Sequence, residues 1–369
     1  MKASPTAMWT SLPRKYYHST SLTKQQEKHT NYTKRKFNMT KQYECALVLG
    51  KFMDAHVGHE ALFHHALSKA EHLIILVCGQ STDRNPIQER VQWIEDTFGN
   101  TATVNAIDIE AEGLSGKEES DRGVSADWAD WVTEQYACVD LLVGSEDYVR
   151  YMGEHAELDY EIFDQERKQF NISSTKVNEG QHWRRIDAAK HARSKRVVLV
   201  GPESCGKTTA AHNLNYCLKL SGNVAVEEQA RKYLNPIGGF SLKDLEVFAL
   251  AQELEIRRAI SNSFHPIQII DSSAVTTKAY QLDRFGKQPP GIIDALLAEE
   301  EGFYLLYTPE TEWVDDGTRE MPTIEDRWKM FNLMAYVLED MGMKYAVITG
   351  KCHKDRLDQA IERITEECL

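Results

Sequence analysis

The chain reads as an α/β protein made of two doubly wound parallel-sheet domains. Short apolar runs recur with helical segments between them, the rhythm of strand–helix–strand units whose sheets are buried on both faces. The runs fall into two sets, at residues 45–50, 73–78, 102–107 and 139–143, then at 197–200, 224–226, 267–270, 304–307 and 345–348. A polar, basic stretch at 179–195 separates the sets and reads as a helical or irregular connector. The strand Arg196-Val-Val-Leu-Val200 runs directly into Gly201-Pro-Glu-Ser-Cys-Gly-Lys207-Thr208, with a helical pattern after it. That is the strand–loop–helix order of a phosphate-binding loop.

With 369 residues the chain has room for two ordinary domains, each with its own core. The expected division is a tail at 1–41, a first domain at 42–180, a connector at 181–195 and a second domain at 196–369. In the tail, cations from Lys2 to Lys41 face a single acid, Glu27, and no apolar periodicity appears. It lacks the apolar core of a secretory signal. Its composition would suit an organellar transit peptide; the plainer reading, preferred here, is a disordered tail or a start codon upstream of a true start at Met39. The net charge of −13 argues against a nucleic-acid or membrane-surface protein. No apolar run approaches the roughly twenty residues that span a bilayer. The seven cysteines are scattered, with no paired metal spacing, which suits a reducing, cytoplasmic setting.

The first strand opens into Gly50-Lys51-Phe52-Met53-Asp54-Ala55-His56-Val57-Gly58-His59, followed by a helical pattern. Two histidines three apart at a helix start place imidazole donors beside the positive end of the helix dipole. That is a place for an anion. A zinc site fits less well, because no further ligand has the spacing.

The second set carries the phosphate loop. Backbone N–H groups there would cradle nucleotide phosphates, Lys207 would reach the outer phosphates, and the Thr208 hydroxyl would ligate Mg²⁺. The chain is therefore expected to bind ATP or GTP. The run at 224–226 leads into Glu227 and Glu228, the run at 267–270 ends on Asp271, and Trp313-Val-Asp-Asp-Gly-Thr-Arg319 follows the run at 304–307. Carboxyl ends of parallel strands are where such sheets place their ligands.

Gly-x-Phe-x-x-x-His-x-Gly-His after the first strand resembles the signature of the nucleotidyltransferase superfamily, and Ile172-Ser173-Ser174-Thr175 is similar to its later Ile-Ser-x-Thr loop. Arg84, Arg90 and Trp93, and the segment Gly144-Ser145-Glu146, resemble parts of nicotinamide-nucleotide adenylyltransferases. Joined to a phosphate-loop domain that carries Glu228-x-x-Arg231-x-Tyr233, the arrangement resembles the NadR family, bifunctional nicotinamide mononucleotide (NMN) adenylyltransferase and ribosylnicotinamide kinase. The resemblance implies a Rossmann-like nucleotidyltransferase domain followed by a P-loop kinase domain. It implies NAD synthesis from nicotinamide riboside by way of NMN, with ATP as co-substrate and Mg²⁺ as cofactor. A homo-oligomer is compatible with it; membrane and nucleic-acid partners are not expected.

In the first domain the resemblance implies that Gly50, Lys51, Phe52, His56, Gly58, His59, Ser173 and Thr175 hold ATP and that Arg84, Arg90 and Trp93 meet NMN. In the second, Gly201, Glu203, Ser204, Cys205, Gly206, Lys207, Thr208 and Thr209 would hold ATP. Glu228, Arg231, Tyr233 and Trp313 would meet the riboside, Thr208 and Asp271 the metal. Either Glu228 or Asp271 could orient or deprotonate the riboside hydroxyl, and Arg319 could fold over the transferring phosphoryl group. His56, His59, Lys207, Glu228, Asp271 and Arg319 are the catalytic candidates. Three positions depart from the family pattern: Asp54 replaces Pro, Asn178 replaces Arg, and Ser273 replaces a second Asp. Lys176 or Arg167 is the cation available in place of the missing Arg. The alternative reading keeps the kinase and makes the first domain a nucleotide-binding sensor. Trp128 and Trp131 recur at helical spacing and read as core; Glu299 to Glu301 reads as a solvated charge run.

Overall fold

The computed structural model describes residues 41–369 apart from 117–119, 235–238, 287–289, 300, 316 and 318. Of the tail expected at 1–41 only Lys41 falls among them. Five strands form the first sheet: β1 (Tyr43–Gly50), β2 (Ala70–Gly79), β3 (Thr103–Asp108), β4 (Leu141–Gly144) and β5 (Asp159–Ile162). All pairings are parallel, in the order β3-β2-β1-β4-β5. Helices α1 (Val57–Lys69), α2 (Ile87–Phe98), α3 (Arg122–Gln135), α4 (Tyr148–Ala156) and α5 (Ser174–Asn178) accompany them. Successive side chains of a strand point to opposite faces. Cys45 and Leu47 accordingly join Trp128 on one side of the sheet, and Ala46 and Val48 join Phe63 on the other. The strand order reverses between β1 and β4, which opens a crevice at their carboxyl ends.

The connector is a built element. Its turn (His182–Arg184) and helix α6 (Asp187–Arg193) lie against both sheets' neighbours. Ile186 and Ala189 pack with Ala55 and Trp93 of the first domain. The Lys190 ammonium donates to Ser261 O at 2.6 Å, beyond the second sheet's first strand.

That second sheet contains β6 (Lys195–Val200), β7 (Ile267–Asp271), β8 (Phe303–Tyr307) and β9 (Lys344–Ile348), parallel in the order β7-β6-β8-β9. The run at 224–226 is not a strand. Val226 makes one parallel bridge beside Ile270, and the Val224 carbonyl is taken instead by the Gln268 side chain at 2.7 Å. The helices are α7 (Lys207–Cys217), α8 (Ala230–Tyr233), α9 (Leu242–Ser261), α10 (Ala274–Arg284), α11 (Pro290–Ala298), α12 (Ile324–Asp340) and α13 (His353–Cys368). Helices α9 and α10 contribute to the core on one face of the sheet, α7 and α13 to that on the other. Among the described residues no helix is long and apolar enough to cross a membrane.

Glu299 departs from the reading of 299–301 as a solvated run, whereas Glu301 is exposed and residue 300 lies outside the described residues. The Glu299 side chain is fully buried, accepting from the Ala274 N–H at 3.1 Å and the Tyr304 hydroxyl at 3.2 Å. The first N–H groups of α10 need an acceptor, and the turn after α11 delivers one.

Candidate active sites

A cavity of about 690 Å³ fills the crevice at the ends of β1 and β4. Gly50, Lys51, Phe52, His56, Gly58 and His59 line one wall; Ser173, Ser174 and Thr175 line another. His56 caps α1: its Nδ1 accepts from the N–H groups of Gly58 at 3.2 Å and His59 at 3.4 Å. With Nδ1 accepting, the ring proton belongs on Nε2. The two imidazoles stack 3.7 Å apart, and His59 meets the Phe52 ring edge-on. Gly58 must be glycine, because a Cβ would stand 2.9 Å from Ile172 and 3.1 Å from the His56 ring. Burial pushes His56 down to about 4 and His59 well below its ordinary value, with Arg167 adding to both. Both histidines are therefore neutral hydrogen-bonding groups at physiological pH, not cations.

Of the three residues expected at the mononucleotide, only Arg84 lines the cavity. Arg90 is fully buried under the floor, donating to the Lys51 and Cys78 carbonyls and paired with Asp83 at 2.8 Å. It ties the ends of β1 and β2 together. Trp93 is buried with Ala55, Ile186 and Ala189, and the Arg193 guanidinium covers its ring at 5.1 Å. Asp54 is 2 % exposed and paired with Arg84 and Arg185. Asn178 is exposed and does not line the cavity, and Lys176 is engaged with Asn171, whereas Arg167 does line it. Trp128 packs in the core as expected and also lines the cavity, a double role that helical spacing alone does not reveal.

In the second domain, Gly201, Ser204 and Gly206 all have positive φ, which curls the loop ahead of α7. A Cβ on Gly201 would sit 2.6 Å from the Tyr307 carbonyl oxygen. The buried Lys207 ammonium donates to the carbonyls of Gly201 at 2.8 Å and Pro202 at 3.1 Å. Cys205 belongs to the core behind the loop, and Thr209 is exposed on α7. The Thr208 hydroxyl donates to Asp271 Oδ2 at 2.5 Å. Asp271 is 2 % exposed, its Oδ1 has no hydrogen-bond partner among the described residues, and burial raises its carboxyl above the usual range. A hydroxyl and an unpaired buried carboxylate oxygen beside a phosphate loop are hard oxygen donors that fit Mg²⁺.

Next to it lies a cavity of about 90 Å³ lined by Glu228, Arg231, Phe240, Phe248, Tyr280 and Arg319, among others. Glu228 accepts from Arg231 Nε at 2.6 Å. Tyr233 and Trp313, expected at the riboside, do not line it; Tyr233 is 53 % exposed. The loop from Thr308 to Met321, described apart from 316 and 318, is stitched to the phosphate loop. Arg319 donates to Ser204 Oγ at 2.6 Å, and the N–H groups of Glu320 and Met321 donate to Glu203 Oε2 at 2.9 Å. Glu203 and Ser204, expected at ATP, hold this loop, a duty that their place in the phosphate loop does not announce.

A family model described as an AAA domain matches residues 196–356. Over 353 residues the chain is 24 % identical to the trifunctional NAD biosynthesis/regulator protein NadR of Salmonella typhimurium, covering 88 % of this chain and 84 % of that protein. The Escherichia coli protein of that name is 25 % identical over 347 residues, covering 87 % of this chain and 82 % of its own. The chain is NadR-like. Two solved NadR structures, one in complex with NAD and AMP-PNP and one with NR, superpose with TM-scores of 0.55 and 0.56. Each is 19 % identical, with 88 % of this chain and 96 % of the other covered, so the NadR fold extends over both α/β domains.

Proposed function

We propose that the chain makes NAD in two steps. The second site phosphorylates nicotinamide riboside to NMN, and the first adenylylates NMN with ATP to give NAD and pyrophosphate. The observation that carries this reading is the pairing, in one chain, of two separate phosphate cradles, each opening on its own cavity at the carboxyl ends of its own parallel sheet. The relatives support it: NadR proteins are named for NAD biosynthesis, and solved ones hold NAD, AMP-PNP and NR.

In the first site the 5′-phosphate of NMN is already ionised. Its oxygen attacks the α-phosphorus of ATP and pyrophosphate leaves, so no general base is needed. The protein aligns the partners and meets the charge that develops. His56 and His59 would hydrogen-bond ATP phosphates as neutral groups, beside Lys51, and the hydroxyls of Ser173 and Thr175 would take the outgoing phosphates. Arg167 lines the same cavity and is the cation placed to supply the charge that Asn178 does not.

In the second site a neutral 5′-hydroxyl attacks the γ-phosphorus, ADP leaves and a proton must be accepted. Glu228 is the better base, because it lines the riboside cavity and Asp271 does not. Mg²⁺, held by Thr208 and Asp271, would neutralise the phosphates when bound. Lys207 would leave the Gly201 and Pro202 carbonyls for the outer phosphates, and Arg319 would cover them from its loop. Phe240, Phe248 and Tyr280, with Glu203, Glu228 and Glu320 around them, suit a cationic pyridinium ring.

Lys207→Ala and His59→Ala, assayed on both reactions, test the assignment. Lys207→Ala should abolish riboside phosphorylation and spare NAD formation from NMN; His59→Ala should do the reverse. Loss of both activities from either folded variant would sink the two-site reading.

A further inference from the structure

Three separate segments converge on Asp54. Its carboxylate accepts from Arg84 Nη2, on the loop between β2 and α2, and from Arg185 Nη2 of the connector at 3.2 Å. Its backbone N–H reaches Ser174 Oγ, at the start of α5, at 3.5 Å. Arg84 and Ser174 line the first cavity, and Asp54 itself lies behind that lining. Arg185 is 8 % exposed and meets the buried His182 Nδ1 at 3.0 Å. The connector is also joined through its backbone. Ile186 N–H donates to Ala55 O at 3.1 Å, and Arg185 forms an antiparallel bridge with His56.

Two guanidiniums on one carboxylate leave a net charge of +1. An Arg84–Asp54 pair alone would be neutral and would do little for an anion; Arg185 restores the excess. A buried ionic cluster is costly unless all its partners stay in place. Loop 53–56, Arg84 and the connector therefore hold a single geometry together. Arg84 is 44 % exposed, and a long side chain at a rim loses rotamer freedom when it binds. Asp54 grips one end of its guanidinium in advance, and Arg carries five N–H donors in all.

We propose that Asp54 is a positioning residue of the first site, fixing Arg84 for the anionic mononucleotide and making the connector, through Arg185, a structural part of that site. The proposal rests on the adenylyltransferase reading above. Its test is the kinetics of NAD formation by the full chain carrying Asp54→Asn, Arg84→Ala or both. Each single change should raise KM for NMN about 10- to 100-fold with kcat nearly kept. The double variant should be no worse than the more severe single one, because both changes remove the same element. Circular dichroism of each variant checks that the first domain still folds, and riboside phosphorylation, at the other site, should be unchanged in all three. If Asp54→Asn does not fold, Asp54→Glu keeps the charge, displaces the carboxylate by one methylene and should still raise KM. A wild-type KM in the folded Asp54 variant, or effects that multiply in the double, would overturn the proposal. If the wild type forms no NAD, the adenylyltransferase reading fails, and the calorimetric Kd of NMN across the same variants decides the positioning role instead. No binding by the wild type either would end both.

Discussion

His56 and His59 show how strongly burial governs a single side chain. Histidine ordinarily titrates near 6.5, yet burial holds His56 at about 4 and His182 at about 3. The native state thus binds fewer protons than the unfolded chain between those values. The stability at stake is present in full above pH 6.5 and is lost as pH falls toward 4. For His56 alone the full shift is worth roughly 3 kcal/mol. The urea midpoint should therefore drop between pH 6.5 and 4, and His182→Asn, outside both cavities, should flatten that slope. NAD formation should be level from pH 7 to 8.5 as far as these histidines are concerned; a rate limb in that range that disappears in His56→Asn would contradict their neutrality. At this scale the sequence is most legible where chemistry fixes spacing. His56 and His59 line the first cavity and Lys207 and Thr208 open α7, each after the strand end where its motif puts it. Asp54 is the opposite case. Its partner Arg185 lies 131 positions away, and no local pattern connects them.

At the scale of elements, strands buried on both faces announce themselves, whereas β5 is exposed or half-buried along its length and carries Asp159 and Glu161. Its polarity hides it. The run at 224–226 errs the other way: three apolar-looking residues form a single bridge, because neighbouring side chains take the hydrogen bonds a ladder would need. Glu299 is the sharpest example, a residue in an acidic run that sits beneath the first turn of α10. Burial raises its carboxyl from 4.5 to about 7, although the Ala274 N–H opposes the shift. Its folded value lies above the unfolded one, so the stability of the protonated form is complete below pH 4.5 and is lost as pH rises through 7. Glu299→Gln should match the wild type in stability at pH 4.5 and exceed it by about 3 kcal/mol at pH 8. Paired urea titrations at the two pH values check this; equal stability at pH 8 would show that the ionised carboxylate is tolerated.

The whole molecule is more than two domains on a string. Composition makes 179–195 look like a linker because it is polar and basic, but those cations are occupied: Arg185 by Asp54, Arg193 by Asn85 and Glu89, and Lys190 by the Ser261 carbonyl. Ile186 and Ala189 bury their side chains against Ala55 and Trp93. A polar stretch whose cations bond to other segments of the fold cannot be told from a solvated one by composition, since the partners lie far away in sequence. Helix α9, whose last residue receives Lys190, carries Phe248 and Gln252 into the lining of the second cavity, so one helix runs from the connector to the second site. We expect residues 41–180, expressed alone, to lose NAD formation, because the cut strips Asp54 of Arg185 and exposes Ala55 and Trp93. Residues 41–194 keep these contacts and should retain it. Circular dichroism separates a fold that has lost its site from a chain that has lost its fold. Full activity in the shorter fragment would show that the connector is a tether after all, and the Asp54 cluster an accident of packing.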